Sequence, residues 1–316
     1  MAAAGAPMPL ALDPASLIEL RSQAPKKLTW QILDHCAAIS RIYALYERGI
    51  EDLVAMYMGY LPQVSPSYAG LAESLRIQHR VGVGQILLKW SPTHPVFGSI
   101  NEPNIAAGLA DGLRARPYSL LTDAFLIDPE NLRTSALTRL FRGLGFENSF
   151  AWVRKYDVVR IFCAAKLTGT ATADSFLDEF VRIRNEAAHG NVSNIAGVTL
   201  ISDYTQFIGA VAEALAALLR THLVRAGTAS NCATVLGDVV HAWSGHVVGV
   251  RAVCGEAVAI GDRLYAGTRD ILPVTIQSLR IGKVDHPSLL LHNGFEFGLQ
   301  LDRRVPEGAR IYRWKI

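Results

Sequence analysis

The chain has 316 residues, half of them hydrophobic, with a formal net charge of +3. That length accommodates two domains with an ample core, and the composition excludes a disordered polypeptide. The mild positive charge permits contact with RNA through a local patch but excludes a strongly basic nucleic-acid coat; arginine greatly outnumbers lysine, which suits phosphate recognition. Residues 1–27, rich in Ala and Pro, read as a loose arm or one short helix, with neither the positive n-region nor the long apolar core of a signal peptide. Ile32, Cys36, Ile39, Tyr43, Tyr46, Ile50, Leu53, Tyr57 and Tyr60 then alternate steps of four and three, the pattern of one long helix with a single apolar seam. Glu47 stands off that seam.

A turn is predicted at residues 62–67, followed by a second helix weakened by Gly82 and Gly84. The string VGVG there is no phosphate loop, because no Gly-Lys-Ser/Thr follows it. Residues 91–117, with four prolines, read as an irregular connection. Asp128, Pro129 and Glu130 form a helix start for a third helix running to Gly143 or Gly145. Residues 152–167 form another helical piece, and residues 175–189 a helix with Phe176, Leu177, Phe180, Ile183 and Ala187 on one face and Gly190 beyond its end. Ser202 or Asp203 opens a last helix closing at Gly227. Its most apolar part, residues 207–219, is interrupted by Glu213 and reads as too short to span a bilayer.

From about residue 232 the character changes. Short Val- and Ile-rich runs are separated by Gly, Asp and Pro every eight to twelve residues, the pattern of a small all-β barrel or sandwich. The expected architecture is therefore multidomain, α then β: an arm at 1–27, an all-α helical bundle at 28–229 and a small antiparallel β-barrel at 230–316. Cys36, Cys163, Cys232 and Cys254 are scattered, suggesting neither a zinc knuckle nor a disulfide framework and fitting a reducing cytoplasm. His241, Ser244 and His246 cluster, yet no carboxylate or cysteine lies at ligand spacing, so neither a metal nor any other cofactor is expected.

The chemistry-bearing stretch is residues 184–190, RNEAAHG, at the end of a helix. Attack of an RNA 2′-hydroxyl on its own phosphate needs a base, a cation on the phosphate oxygens and a proton for the leaving 5′-oxygen. An imidazole ionises near neutral pH and serves as base or acid, while a guanidinium grips phosphate with parallel hydrogen bonds. His189 and Arg184 supply those groups, and Asn185 is suited to orient them. Residues five apart on an ideal helix are separated by about 140°, whereas Arg182, Asn185 and His189 share one face, which makes Arg182 a rival phosphate ligand. The ordinary alternative is a solvated helix end with a histidine favoured by the helix dipole.

The string LDEFVRIRNEAAHG resembles the motif of the HEPN superfamily, in which an arginine, a polar residue and a histidine four to six positions on mark many endoribonucleases. The first helix, IYALYERGIEDLVAMYMGYL, resembles that of HEPN subgroups found with restriction, toxin and phage-defence genes, Tyr46 and Glu47 filling their aromatic and acidic positions. The resemblance implies a metal-independent endoribonuclease that leaves 2′,3′-cyclic phosphate and 5′-hydroxyl ends, with His189, Arg184 and Asn185 catalytic and Arg182 and Glu47 supporting. It also implies a homodimer acting on transfer, messenger or ribosomal RNA, a neutralising or activating protein partner, and no membrane. Gly261-Asp262, the run at 276–279 and the segment 294–301 before Pro306-Glu307-Gly308 resemble domain 2 of translation factors such as elongation factor Tu. No GTPase motif accompanies them, so a docking role follows only by analogy. The alternative is a non-catalytic HEPN module that dimerises and binds RNA or protein in translation or defence machinery.

Overall fold

The computed structural model describes residues 19, 26–127, 131–190, 192–243 and 246–315. The N-terminal arm and the helix start at Asp128, Pro129 and Glu130 fall almost entirely outside the described residues.

The periodic seam becomes a single helix, α1 (Lys27–Val64), with Ile39, Tyr43, Tyr46, Ile50 and Tyr57 buried along it. Pro62 does not break it as expected: it sits in the last turn, where its missing N–H costs one bond, and the helix closes with Ser65 N–H on Leu61 O at 2.9 Å. A short 3-10 turn, Tyr68–Gly70, leads into α2 (Glu73–Lys89). The Pro-rich connection also proves partly helical, with α3 (Glu102–Leu113), because Pro103 stands in the first turn, where its fixed φ favours a start.

A second 3-10 turn, Thr122–Phe125, docks on α2 at Gly82. A Cβ on Gly82 would lie 2.0 Å from the Ala124 carbonyl oxygen, so this glycine is a contact point rather than a weak spot in the helix. Gly82→Ala is expected to destabilise the protein by about 1–3 kcal/mol, because backbone blocks the methyl and outweighs the helix propensity gained. A thermal midpoint equal to or above that of the wild type would contradict this close packing.

The third expected helix is shorter than its pattern. Asn131, Leu132 and Arg133 are not helical, and α4 covers Thr134–Gly143, because Leu132 N–H is taken by the Tyr43 hydroxyl and Thr134 N–H by the Asp178 carboxylate. The next helical piece is two helices, α5 (Ser149–Lys155) and α6 (Asp157–Lys166), parted by extended Tyr156. Helix α7 (Ala173–Ala188) begins earlier than its apolar face suggests: Thr172 and Ser175 form a reciprocal capping box, Ser175 N–H donating to Thr172 Oγ1 at 3.2 Å and Thr172 N–H to Ser175 Oγ at 2.8 Å. At its other end Gly190 adopts φ +67°, the left-handed turn that glycine supplies most easily.

Helix α8 (Val198–Ala229) is longer at both ends than expected, and by length and composition it could cross a membrane, which corrects the reading from residues 207–219. Its apolar face packs inside this protein: Tyr204, Phe207, Val211 and Leu215 lie in the bundle core with Phe180 of α7 and Tyr43 of α1.

The barrel begins at Ala233. Strands β1 (Ala233–Ala242), β2 (Val247–Ala252), β4 (Arg263–Gly267), β5 (Leu272–Ile281), β8 (Glu296–Leu301) and β9 (Arg310–Trp314) pair antiparallel in the order β4-β9-β1-β2-β8-β5, and β5 closes on β4. Strand β6 (Val284–His286) folds back antiparallel on the end of β5, while β3 (Ala257–Ala259) and β7 (Ser288–Leu290) form a separate pair. Alternate residues such as Leu236, Val250, Ile276, Leu299 and Ile311 fill the interior.

The two halves are packed on each other. Ile271 N–H donates to the buried Thr221 hydroxyl of α8 at 2.9 Å, and Arg225 of α8 donates to Thr268 O at 2.7 Å. The Trp314 ring covers Gly227, where a Cβ would lie 2.8 Å from it, and meets Tyr60 edge-on.

Candidate functional site

The site grows from the junction of α1, α7 and the extended segment before α4. Two buried tyrosines on successive α1 turns clamp the backbone of one residue: the Tyr43 hydroxyl accepts from Leu132 N–H and the Tyr46 hydroxyl donates to Leu132 O, each at 2.9 Å. Burial pushes both phenols up, so they act as neutral hydrogen-bonding groups. The clamp fixes the neighbouring Asn131 against α7.

Arg184 lies across the face of Tyr43, its guanidinium carbon 4.1 Å from the ring centroid. Its Nη1 donates to Asn131 Oδ1 at 2.7 Å and to Asn185 Oδ1 at 3.2 Å, and Asn131 Nδ2 donates to the same Asn185 oxygen at 3.0 Å. Among the described residues its hydrogen bonds run through Nη1, so aromatic and amide partners hold the cation there without a carboxylate to neutralise it. Glu47 joins through Tyr43, whose hydroxyl donates to its Oε1 at 3.4 Å.

Arg182 belongs to a different group. It is held between Glu179, at 2.7 and 2.8 Å, and Glu186, and these carboxylates raise its pKa further. The face shared on an ideal helix by Arg182, Asn185 and His189 therefore does not become one cluster, since Arg182 turns to its own ion pairs and Asn185 to Asn131.

His189 is the C-cap of α7, exposed, one turn beyond Asn185 and bonded to it through the backbone, N–H to O, at 3.1 Å. The segment after it is pinned: Ser193 donates to Glu186 at 2.8 Å, and Ala196 N–H donates to Nδ1 of the buried His35 at 3.2 Å. Burial lowers the His35 pKa against the opposing pull of Glu186, keeping Nδ1 available as an acceptor.

Beside Glu47 opens a cavity of about 400 Å³ between α1, α2, α4 and the second 3-10 turn. Its floor is apolar, from Ile50, Phe125 and Leu132; Glu47, Glu51, Gln78, Gln85 and Arg139 bring polar groups to its walls. Burial, and then the Glu47 charge, raises the Glu51 carboxyl. Elsewhere His241 lies against Trp243 and 3.7 Å from Glu307, His246 faces Leu301 O, and Ser244 falls outside the described residues. Among the described residues no three His, Cys, Asp or Glu side chains gather to hold a metal ion.

The sequence profile of the RiboL-PSP-HEPN family matches residues 15–220, the whole helical half up to the last turns of α8. The chain belongs to the RiboL-PSP-HEPN family. No curated protein matches it closely enough to add a named relative. Membership indicates a nuclease or RNA-binding role, and the HEPN region contains every residue of the Arg184 cluster. Of the groups around Arg184, Asn131 was missed because the sequence pattern put it in the first turn of the third helix, whereas it lies in the extended segment before α4, and Tyr43 was visible only as a core position.

Proposed function

We propose that this protein is a metal-independent HEPN endoribonuclease. The observation that carries the reading is the guanidinium of Arg184, stacked on Tyr43 and braced by Asn131 and Asn185 with no carboxylate partner among the described residues, on the helix that ends in exposed His189. Arg184 binds the scissile phosphate and stabilises charge on its oxygens; His189 takes the proton of the attacking 2′-hydroxyl or delivers one to the leaving 5′-oxygen. Asn185 aims the guanidinium, and Glu47 supports it through Tyr43. Arg182, already satisfied by two carboxylates, is the poorer phosphate ligand.

Arg184 and His189 are five residues apart on one helix, so a homodimer in which two copies share one RNA strand places a histidine of one beside an arginine of the other. Exposed Trp30, Leu33 and Leu45 on α1 supply apolar surface for such a contact. The barrel, with its likeness to domain 2 of translation factors, docks RNA or a protein partner, and the setting is cytoplasmic phage defence or toxin action under a neutralising or activating partner.

Purified protein is expected to cut total or transfer RNA in the presence of EDTA between pH 6 and 8, leaving 2′,3′-cyclic phosphate and 5′-hydroxyl ends. Intact RNA under those conditions, with RNA still bound in a gel-shift assay, would move the protein to the non-catalytic reading.

A further inference from the structure

The cavity beside Glu47 has a chemical bias that the cleavage chemistry does not use. Its polar walls set two carboxylates and two amides against a single guanidinium, that of Arg139. Glu47 and Glu51, one turn apart on α1, supply carboxylate oxygens, and Gln78 donates one of its two amide N–H groups to Ala124 O at 3.3 Å, with Oε1 still able to accept. Gly143 makes room for that side chain, since a Cβ there would come within 3.2 Å of Gln78 Cγ. The floor of Ile50, Phe125 and Leu132 is apolar, as a planar ring requires.

The two carboxylates outnumber the one lining cation, Arg139, so the cavity disfavours a phosphate and the part of a nucleotide that enters is the base. Among the four bases guanine presents the most donors on one edge, N1–H beside the N2 amino group, in the parallel arrangement a carboxylate accepts. Adenine and cytosine offer one amino group there, and uracil a single N–H. The cavity also lies next to the phosphate-binding cation: Leu132 and Glu47 line it, and both hydrogen-bond Tyr43, whose ring carries Arg184.

We infer that this cavity is a base-recognition pocket that takes guanine from an RNA strand whose phosphate lies on Arg184. This rests on the RNA-cleaving reading for its biological sense and makes the protein a nuclease that cuts beside guanosine. Glu51 is the residue to change, because it touches no group assigned to the chemistry.

Sequencing the ends of RNA cut by wild type and by Glu51→Gln tests it, together with equilibrium titration of both proteins with GMP, AMP, CMP and UMP. The expected result is a guanosine at a fixed position beside the wild-type cut. That preference falls about tenfold or more in Glu51→Gln while cutting beside other bases persists. GMP is expected to bind the wild type more tightly than the other three and to lose that advantage in the variant. Cleavage without base preference, an unchanged preference in Glu51→Gln, or equal binding of the four nucleotides overturns the pocket and leaves the nuclease reading standing. If the wild type cuts no RNA, the nuclease reading fails and the nucleotide titration decides the pocket alone.

Discussion

His189→Ala is expected to lower RNA cleavage by about 10²–10⁴-fold, the usual loss when a positioned proton-transfer group is removed. The fold should survive, because the side chain is exposed and the α7 end is held by backbone bonds and by Gly190. Arg184→Ala is expected to cost about 10²–10³-fold through lost stabilisation of phosphate charge. Arg184→Lys should recover only part of that, since an ammonium neither lies flat on Tyr43 nor offers a fork. Arg182→Ala is the control: its guanidinium is tied to Glu179 and Glu186, so activity should stay within about twofold of wild type, surface pairs of this kind contributing little. Single-turnover rates, with circular dichroism to verify folding, check the set. A folded His189→Ala or Arg184→Ala that cleaves at the wild-type rate would refute the mechanism, and loss at Arg182 instead of Arg184 would reassign the phosphate ligand.

The second large effect is on stability in mild acid. His79 is 1% exposed and stacks on Phe125; its Nε2 accepts from Leu121 N–H at 3.2 Å and its Nδ1 meets the Tyr68 hydroxyl at 3.2 Å. That bonding demands the neutral ring, and burial lowers its pKa from 6.5 to about 4. The folded-state value is the lower one, so between these values the unfolded chain binds a proton that the folded chain refuses. Stability is therefore complete above about pH 6.5 and is lost as pH falls toward 4, by about 3 kcal/mol for this residue alone. The imidazoles of His35 and His222 are lowered too and add in the same direction. Urea midpoints should drop between pH 7 and pH 4.5, and less steeply in His79→Gln, whose amide oxygen still accepts from Leu121. Identical slopes in the two proteins would show that His79 does not set this dependence.

Much of this structure could be read from residue patterns whose cause is local. The seam from Ile39 to Tyr57 declares a buried helix face, and the Val-rich runs after residue 232 declare strands, because periodicity reflects burial on one side. What escaped was set by distant partners. Asn131, Leu132 and Arg133 carry a helical pattern, yet tyrosines on α1 and Asp178 on α7 claim the backbone N–H groups around them and hold the segment extended. Gly82 looked like a defect until Ala124 was found against it. In the site, Arg184, Asn185 and His189 were legible as a motif, but the choice between Arg184 and Arg182 was not. Both are arginines on one helix, and only the positions of Tyr43 and Asn131 on one side, and of two glutamates on the other, separate a presented cation from a neutralised one.

Helix α8 gives the two halves of the molecule a common lever. Its 32 residues extend about 48 Å at about 1.5 Å each. Near one end Tyr204 backs Phe180, which in turn touches Tyr43 beneath Arg184. Near the other, Thr221 and Gly227 are seated in the barrel. No proline interrupts the rod. The seat of the barrel and the floor under the arginine are thus mounted on one continuous shaft, which sets the bearing of one half on the other.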